Sequence, residues 1–235
     1  MNWKELARSF KYWALGAKKS YSQTGEDLIA EFYLADIKRG FYVDVGTNDP
    51  VNLNNTYLFY KKGWRGLCVE PNAGKARLIR LRRRADRVIQ VGVGPEPMTM
   101  SFHMFDPDTL STFSEKEAEV YRNLGYNYLG QDAVPVKPLA EILELYASDR
   151  TIDLLSVDTE GQDLEVLQSN DWKRFRPRLV ITEVVRHRGS FGERSHQDFD
   201  KLFESVGYLK IADTNINVLY MEKTFADAKK ISSIN

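Results

Sequence analysis

Residues 41–48 read FYVDVGTN. A run of β-formers meets an acid, Asp44, then Gly46, then a polar pair. Glycine accepts left-handed backbone and close approach. The break therefore predicts a strand that stops where something must come near its backbone. Six similar runs follow: GLCVE (66–70), RVIQVGVG (87–94), IDLLSVD (152–158), RLVITEVV (178–185), YLKIADT (208–214) and NVLYME (217–222). Helical patterns fall between most of them, over 55–62, 75–84, 138–147, 163–169 and 196–206. Near-continuous apolar strands alternating with helices predict an α/β protein with a mostly parallel seven-stranded sheet and helices on both faces. The last two runs lie too close in sequence for a crossover, so they pair as an antiparallel hairpin.

The chain of 235 residues suits one domain. Residues 1–36 read as an N-terminal helical extension. Within it Trp3, Leu6, Phe10 and Trp13 recur at helical spacing against a basic face. That helix either packs on the domain or makes peripheral contact with a membrane surface. Ser22 or Thr24 caps a second helix running to Leu34, and Glu26 and Asp27 suit its first turn. The N-terminal charges exclude a signal peptide or a span there, and the expected location is cytoplasmic. A lone cysteine, Cys68, excludes an internal disulfide. The stretch MTMSFHMF (98–105) alternates and predicts an extra edge strand. Residues 106–136 show turn signals without a period and read as an insertion over the site.

Lys plus Arg and Asp plus Glu each number 33, a balance that speaks against a dedicated nucleic-acid binder. The basic run KARLIRLRRRADR (75–87) reads as a solvated helix face, with attraction to an anionic lipid or a nucleotide-linked sugar as a second use. In open α/β sheets ligands bind beyond the carboxyl ends of the strands. Asp44, Glu70, Asp158 and Glu183 stand at such ends. DVGTNDPVNLNNT (44–56) lacks the glycines of a dinucleotide fingerprint and is not a P-loop. Glu70, 26 positions after Asp44, is placed to accept from ribose hydroxyls. A nucleoside without a diphosphate fits better than a dinucleotide, and S-adenosylmethionine is the common one.

SQTGEDLIAEFYL (22–34), GFYVDVGTNDPVNLNNTYLFYKKGWRGLCVEPN (40–72), LLSVDTEGQDLEVLQS (154–169) and RPRLVITEV (176–184) resemble, in this order, the FkbM family of S-adenosylmethionine-dependent methyltransferases. The resemblance covers residues 20–185. It implies a Rossmann-like class I methyltransferase fold and O-methyl transfer to hydroxyls of sugars or polyketides. It also implies a cofactor site of Asp44, Gly46, Thr47, Asn48, Glu70, Pro71, Gly92, Val93 and Asp158, with Asn55 and Thr56 near cofactor or substrate. VGTN stands where VGAN is more usual, a change that leaves the turn intact. The expected acceptor is a glycan or small molecule.

A sugar hydroxyl needs its proton accepted or its pKa lowered by a metal. Asp158, Glu160, Glu183 and His187 are the candidate catalytic groups, and Asp158, Glu183 and His187 the candidate ligands for Mg or Mn. His103 and His196 read as solvent-facing. Tyr121, Tyr126 and Tyr128 either stack on a sugar ring or form a small local core. Two other functions stay open. One is a nucleoside-binding scaffold without turnover; the other is an RNA methyltransferase.

Overall fold

The computed structural model describes residue 16 and residues 18–184 and 196–232. The N-terminal helix expected over residues 3–14 lies outside them, as does His187. In chain order the elements are α1 (Glu26–Tyr33), β1 (Phe41–Val45), α2 (Tyr57–Lys61), β2 (Arg65–Val69), α3 (Ala73–Arg82), β3 (Arg87–Ile89), β4 (Gly92–Val93) and β5 (Met98–Asp106). There follow a 3-10 turn (Asp108–Leu110), α4 (Glu115–Asn123), β6 (Asn127–Lys137), α5 (Leu139–Ala147), β7 (Leu154–Val157) and α6 (Asp163–Gln168). The chain closes with β8 (Leu179–Glu183), α7 (His196–Ser205), β9 (Tyr208–Asp213), β10 (Asn217–Glu222) and α8 (Lys223–Ser232).

The main sheet has seven strands in the order β3-β2-β1-β7-β8-β10-β9. β1 pairs in parallel with β2 on one side and β7 on the other, and β10 runs antiparallel to both β8 and β9. The predicted fold and C-terminal hairpin are therefore present. The order reverses at β1, so the cleft beyond β1 and β7 is the natural ligand position.

Alternation along β1 splits its side chains between two cores. Val43 and Val45 join Leu67, Val157, Ile142 and Phe203 on one face. Tyr42 joins Cys68, Phe59, Ile79 and Leu154 on the other. Burial pushes the Cys68 thiol up from its ordinary value, which suits a packing residue.

The run 87–94 is not one strand. β3 pairs with β2, while β4 leaves to pair with β6 in a separate three-stranded sheet, β4-β6-β5. The switch turns on Gly92. A Cβ there would stand 2.5 Å from Phe113 Cζ and 2.9 Å from Val136 Cγ2, so only glycine lets those side chains close on β4. The extra strand over 98–105 exists, but it belongs to this second sheet and not to the edge of the first. Residues 106–136 carry regular structure, α4 and most of β6. Their period is weak because Val134 and Val136 alone are buried along β6, and Gly130 sits at φ 116.

The start of α1 also differs from expectation. Gly25, at φ 98, precedes the helix, and the Ser22 hydroxyl accepts from the amides of Gly25 and Asp27 at 3.2 Å. Glu26 and Asp27 are fully buried. Asp27 accepts from Ser20, Ser22 and the Tyr21 amide. Burial opposes ionisation of Glu26, yet bonds from Thr24 and Thr214 hold it down at about 2. With Asn217 also donating to Glu26 at 2.9 Å, the N-terminal segment is tied to the β9–β10 hairpin.

Candidate active site

Gly46 ends β1 in left-handed backbone, φ 77. A Cβ on it would lie 1.7 Å from the Asp158 carbonyl oxygen. The glycine is thus required first by the neighbouring strand: the loops after β1 and β7 meet there. Hydrogen bonding continues past the strand ends, from Gly46 N to Val69 O at 2.9 Å and from Asp158 N to Val45 O at 3.0 Å. The strand ends are therefore rigid where they face the cleft.

Beneath the loop after β1 lies a buried polar frame. Asp44 Oδ2 accepts from Thr56 Oγ1 at 2.6 Å and Asn54 Nδ2 at 3.2 Å. Asn54 Oδ1 accepts from the amides of Thr56 and Tyr57, which starts α2. Arg83 is wholly buried and joins these groups. Its Nε donates to Pro50 O at 2.8 Å, Nη1 to Thr56 Oγ1 at 2.8 Å, and Nη2 to Asn54 Oδ1 at 2.5 Å. Asp44 and Asp86 balance its charge at 3.4 and 3.9 Å. The reading of the basic run as a solvated face fails at this residue. Arg83 follows α3 and turns inward because two buried carboxylates and three oxygen acceptors await it. Asp44 and Thr56 belong to this frame, and Thr56 is absent from the cleft wall.

The cleft encloses about 260 Å³. On one side stands Glu70, buried after β2. Its oxygens accept from the amides of Asn48 and Asn72, each at 2.8 Å. Burial pushes Glu70 up to about 7, against those two amides and the Lys75 charge. Asn72 caps α3, accepting from Gly74 N and Lys75 N. Gly46, Thr47, Asn48, Asn55, Pro71, Gly92, Val93 and Asp158 all line the cleft with Glu70. Phe102 and Phe113, 4.8 Å apart, close the end beside Val93. Neither phenylalanine stands in a motif, which is why the sequence did not mark them.

Opposite Glu70 is an acidic group. One carboxylate oxygen each from Asp158, Glu160 and Glu183 lie within 4.8 Å of one another. Glu160 sits at φ 52 and Gly161 at φ 100, so the loop after β7 doubles back to present them. Asp163, unmarked by the sequence, accepts from Thr159 N at 3.0 Å and Gly161 N at 3.3 Å. Burial, then the neighbouring Asp158 charge, push Asp163 up from the ordinary carboxylate value. Glu183 ends β8 behind the cleft wall, where its register partner is Asn217. His187 cannot be placed with them, since it falls outside the described residues.

The remaining aromatic and histidine readings resolve simply. Tyr121 and Tyr128 pack with Phe105, Leu110 and Ala118 in a local core, and Tyr126 meets Tyr121 edge-on. His103 is buried rather than solvent-facing; Glu115 approaches its Nε2 at 3.0 Å and Tyr128 OH its Nδ1 at 3.2 Å. His196 is half-buried at the start of α7, with Asp213 at 3.7 Å.

Residues 44–210 match the sequence profile of the Methyltransferase FkbM domain. The chain belongs to the FkbM methyltransferase family. No curated protein matches it by sequence. Among solved structures, an O-methyltransferase from Bacillus cereus in complex with SAH is similar, with 11% identity, TM-score 0.46, and coverage of 94% of this chain and 90% of the other. A TehB-like SAM-dependent methyltransferase from Corynebacterium glutamicum has 10% identity and TM-score 0.45, covering 94% and 97%. A precorrin-6y C5,15-methyltransferase from Geobacter metallireducens has 11% identity and TM-score 0.46, covering 88% and 92%. In this FkbM protein the family match includes Asp44, Glu70 and Asp158 of the cleft and Glu183 behind it.

Proposed function

We propose that this FkbM-family protein transfers a methyl group from S-adenosylmethionine to a hydroxyl of a sugar or related small molecule. The observation that carries this reading is Glu70. It is a buried carboxylate at the end of β2, held by two backbone amides and facing the cleft. Such a group suits ribose hydroxyls, which donate to it. The apolar wall of Val93, Phe102 and Phe113 suits a purine ring. The residues present therefore fit the nucleoside of the cofactor. When bound, the cofactor supplies an activated methyl on a sulfonium.

The chain's own residues hold the acceptor and take its proton. Asp158 and Glu160 line the cleft across from Glu70, and either carboxylate accepts the proton of a hydroxyl set beside it. Asn55, Gln162 and Thr159 offer amide and hydroxyl partners for further sugar hydroxyls. Orientation supplies much of the rate in this scheme. The close approach of Asp158, Glu160 and Glu183 favours a second reading, in which they hold a divalent cation that lowers the hydroxyl pKa.

The experiment is transfer of labelled methyl to a panel of glycans, nucleotide sugars and RNA. Incorporation into a sugar hydroxyl, lost in Asp158→Asn, is expected. Incorporation into RNA alone refutes the acceptor class. A protein that binds cofactor but labels no compound in the panel is the scaffold alternative. Activity that survives exhaustive chelation removes the cation.

A further inference from the structure

We infer that the face carrying α1, α2 and the rim beside Leu53 docks on an anionic membrane surface. The net charge of the chain is zero, yet cations gather here. Lys19 and Lys61 are both exposed and both reach Tyr21, Lys19 at 5.0 Å from the ring centre and Lys61 at the hydroxyl end, 5.1 Å from the centre. Lys61 also donates to Tyr21 OH at 2.7 Å. Lys18 and Lys62 share a single acid, Glu31, so one of their two charges is unbalanced. Exposed Arg82 adjoins Tyr60, whose hydroxyl reaches the Arg82 carbonyl at 3.5 Å.

Two large apolar side chains are exposed on the same elements. Phe32 follows Glu31 on α1 and is 76% exposed; Leu53 is 62% exposed in left-handed backbone at the cleft rim. Contacts join α1, α2 and the rim: Glu31 of α1 bonds Lys62, which follows α2. Lys62 adjoins Lys61, Lys61 holds Tyr21, and the Tyr21 carbonyl accepts from Asn54 N next to Leu53 at 2.9 Å. Lysines around protruding apolar tips, with tyrosines between, are the composition of an interfacial surface.

A polyanion such as RNA fits less well. Base stacking needs free ring faces. Tyr21 has Lys19 at its ring and meets Tyr57 edge-on at 4.9 Å, while Tyr57 and Tyr60 stack on each other at 6.0 Å with Arg83 near both rings. Exposed Phe32 also gains nothing from a phosphate backbone. The surface adjoins the cleft rim, so a membrane there sets lipid headgroups beside the cleft opening. That last consequence rests on the proposed methyl transfer, whereas the docking itself does not.

The test is co-sedimentation of the full chain with sucrose-loaded vesicles of phosphatidylcholine, with and without roughly one-third phosphatidylglycerol. The expected result is binding to the anionic vesicles only, weakened by salt. Reversal of two charges in Lys19→Glu/Lys61→Glu should weaken it by at least about 25-fold, from about fivefold per basic side chain. Phe32→Ser should weaken it independently. If the reversed variant melts early, Lys19→Gln/Lys61→Gln serves in its place. Equal binding to neutral vesicles, no binding to anionic ones, or RNA binding without vesicle binding overturns the inference. So does vesicle binding that ignores both lysines and depends on residues 1–15. Melting temperature and cofactor affinity should stay at wild type throughout, which separates this result from any failure of the methyltransferase reading.

Discussion

Arg83→Met probes the frame under the cofactor loop. The side chain is fully buried, and methionine keeps much of its length while removing charge and fork. Three oxygens each lose the bond from Arg83: Pro50 O, Thr56 Oγ1 and Asn54 Oδ1, the last of which keeps the amides of Thr56 and Tyr57. Buried Asp44 and Asp86 lose the cation that faces both. Breaking a buried pair from one side costs about 3–5 kcal/mol, because the other charge stays behind in the interior. At roughly 2–4 °C per kcal/mol for a chain of this size, the melting temperature should fall by about 6–20 °C. Arg83→Lys keeps a charge but reaches fewer acceptors, so an intermediate loss is expected. Scanning calorimetry measures both. Cofactor affinity should also fall, since Pro50 and Asn54 hold the loop that carries Asn48. A drop below about 2 °C, the size of a neutral surface change, refutes the frame.

Glu70 lies near 7, above the ordinary carboxylate value, so its neutral form is favoured in the fold. Its contribution to stability is full below the unfolded value and is lost as pH rises through about 7. Ribose hydroxyls donate to the ionised form, so cofactor affinity should move the opposite way. Affinity should rise by up to about tenfold per unit toward pH 7 and then level off, while Glu70→Gln is weak and flat; a flat wild-type profile in titration calorimetry contradicts this. Gly46→Ala places a methyl against the Asp158 carbonyl in left-handed backbone and should cost more than about 2 kcal/mol. Wild-type melting and affinity in that variant would remove the close-approach argument. Asp163→Asn should leave the rate near pH 7 little changed, because burial and Asp158 already favour the proton there. A large loss of rate at pH 7 in a labelled-methyl assay of that variant would contradict a protonated Asp163.

Strand runs, the final hairpin and the acids at strand ends were readable because each follows from a strong local period or a charge at its end. Gly46 was readable as a close approach, although its nearest neighbour is the Asp158 carbonyl. Arg83 was not, since a guanidinium at the end of a basic helix gives no sign of the acids gathered from β1 and Asp86. β6 was missed because its buried positions are few and Gly130 and Pro135 break the pattern. Phe102 reaches the cleft from β5 of the second sheet and Phe113 from the loop that packs on it, contacts between distant segments that no spacing records. Asp163 opens a helical pattern, and nothing in that pattern marks it as a site residue. Its burial beside Asp158 is a tertiary fact.

Titration calorimetry of S-adenosylmethionine into the full chain and into Glu70→Ala tests the central claim most directly. The wild-type protein should bind at one saturable site. Loss of a charge-assisted bond worth about 1.5–3 kcal/mol should weaken Glu70→Ala by about 10- to 150-fold. No binding by the wild-type chain, or equal affinity in the variant, would contradict the assignment of the cleft between Glu70 and Asp158 as the cofactor site.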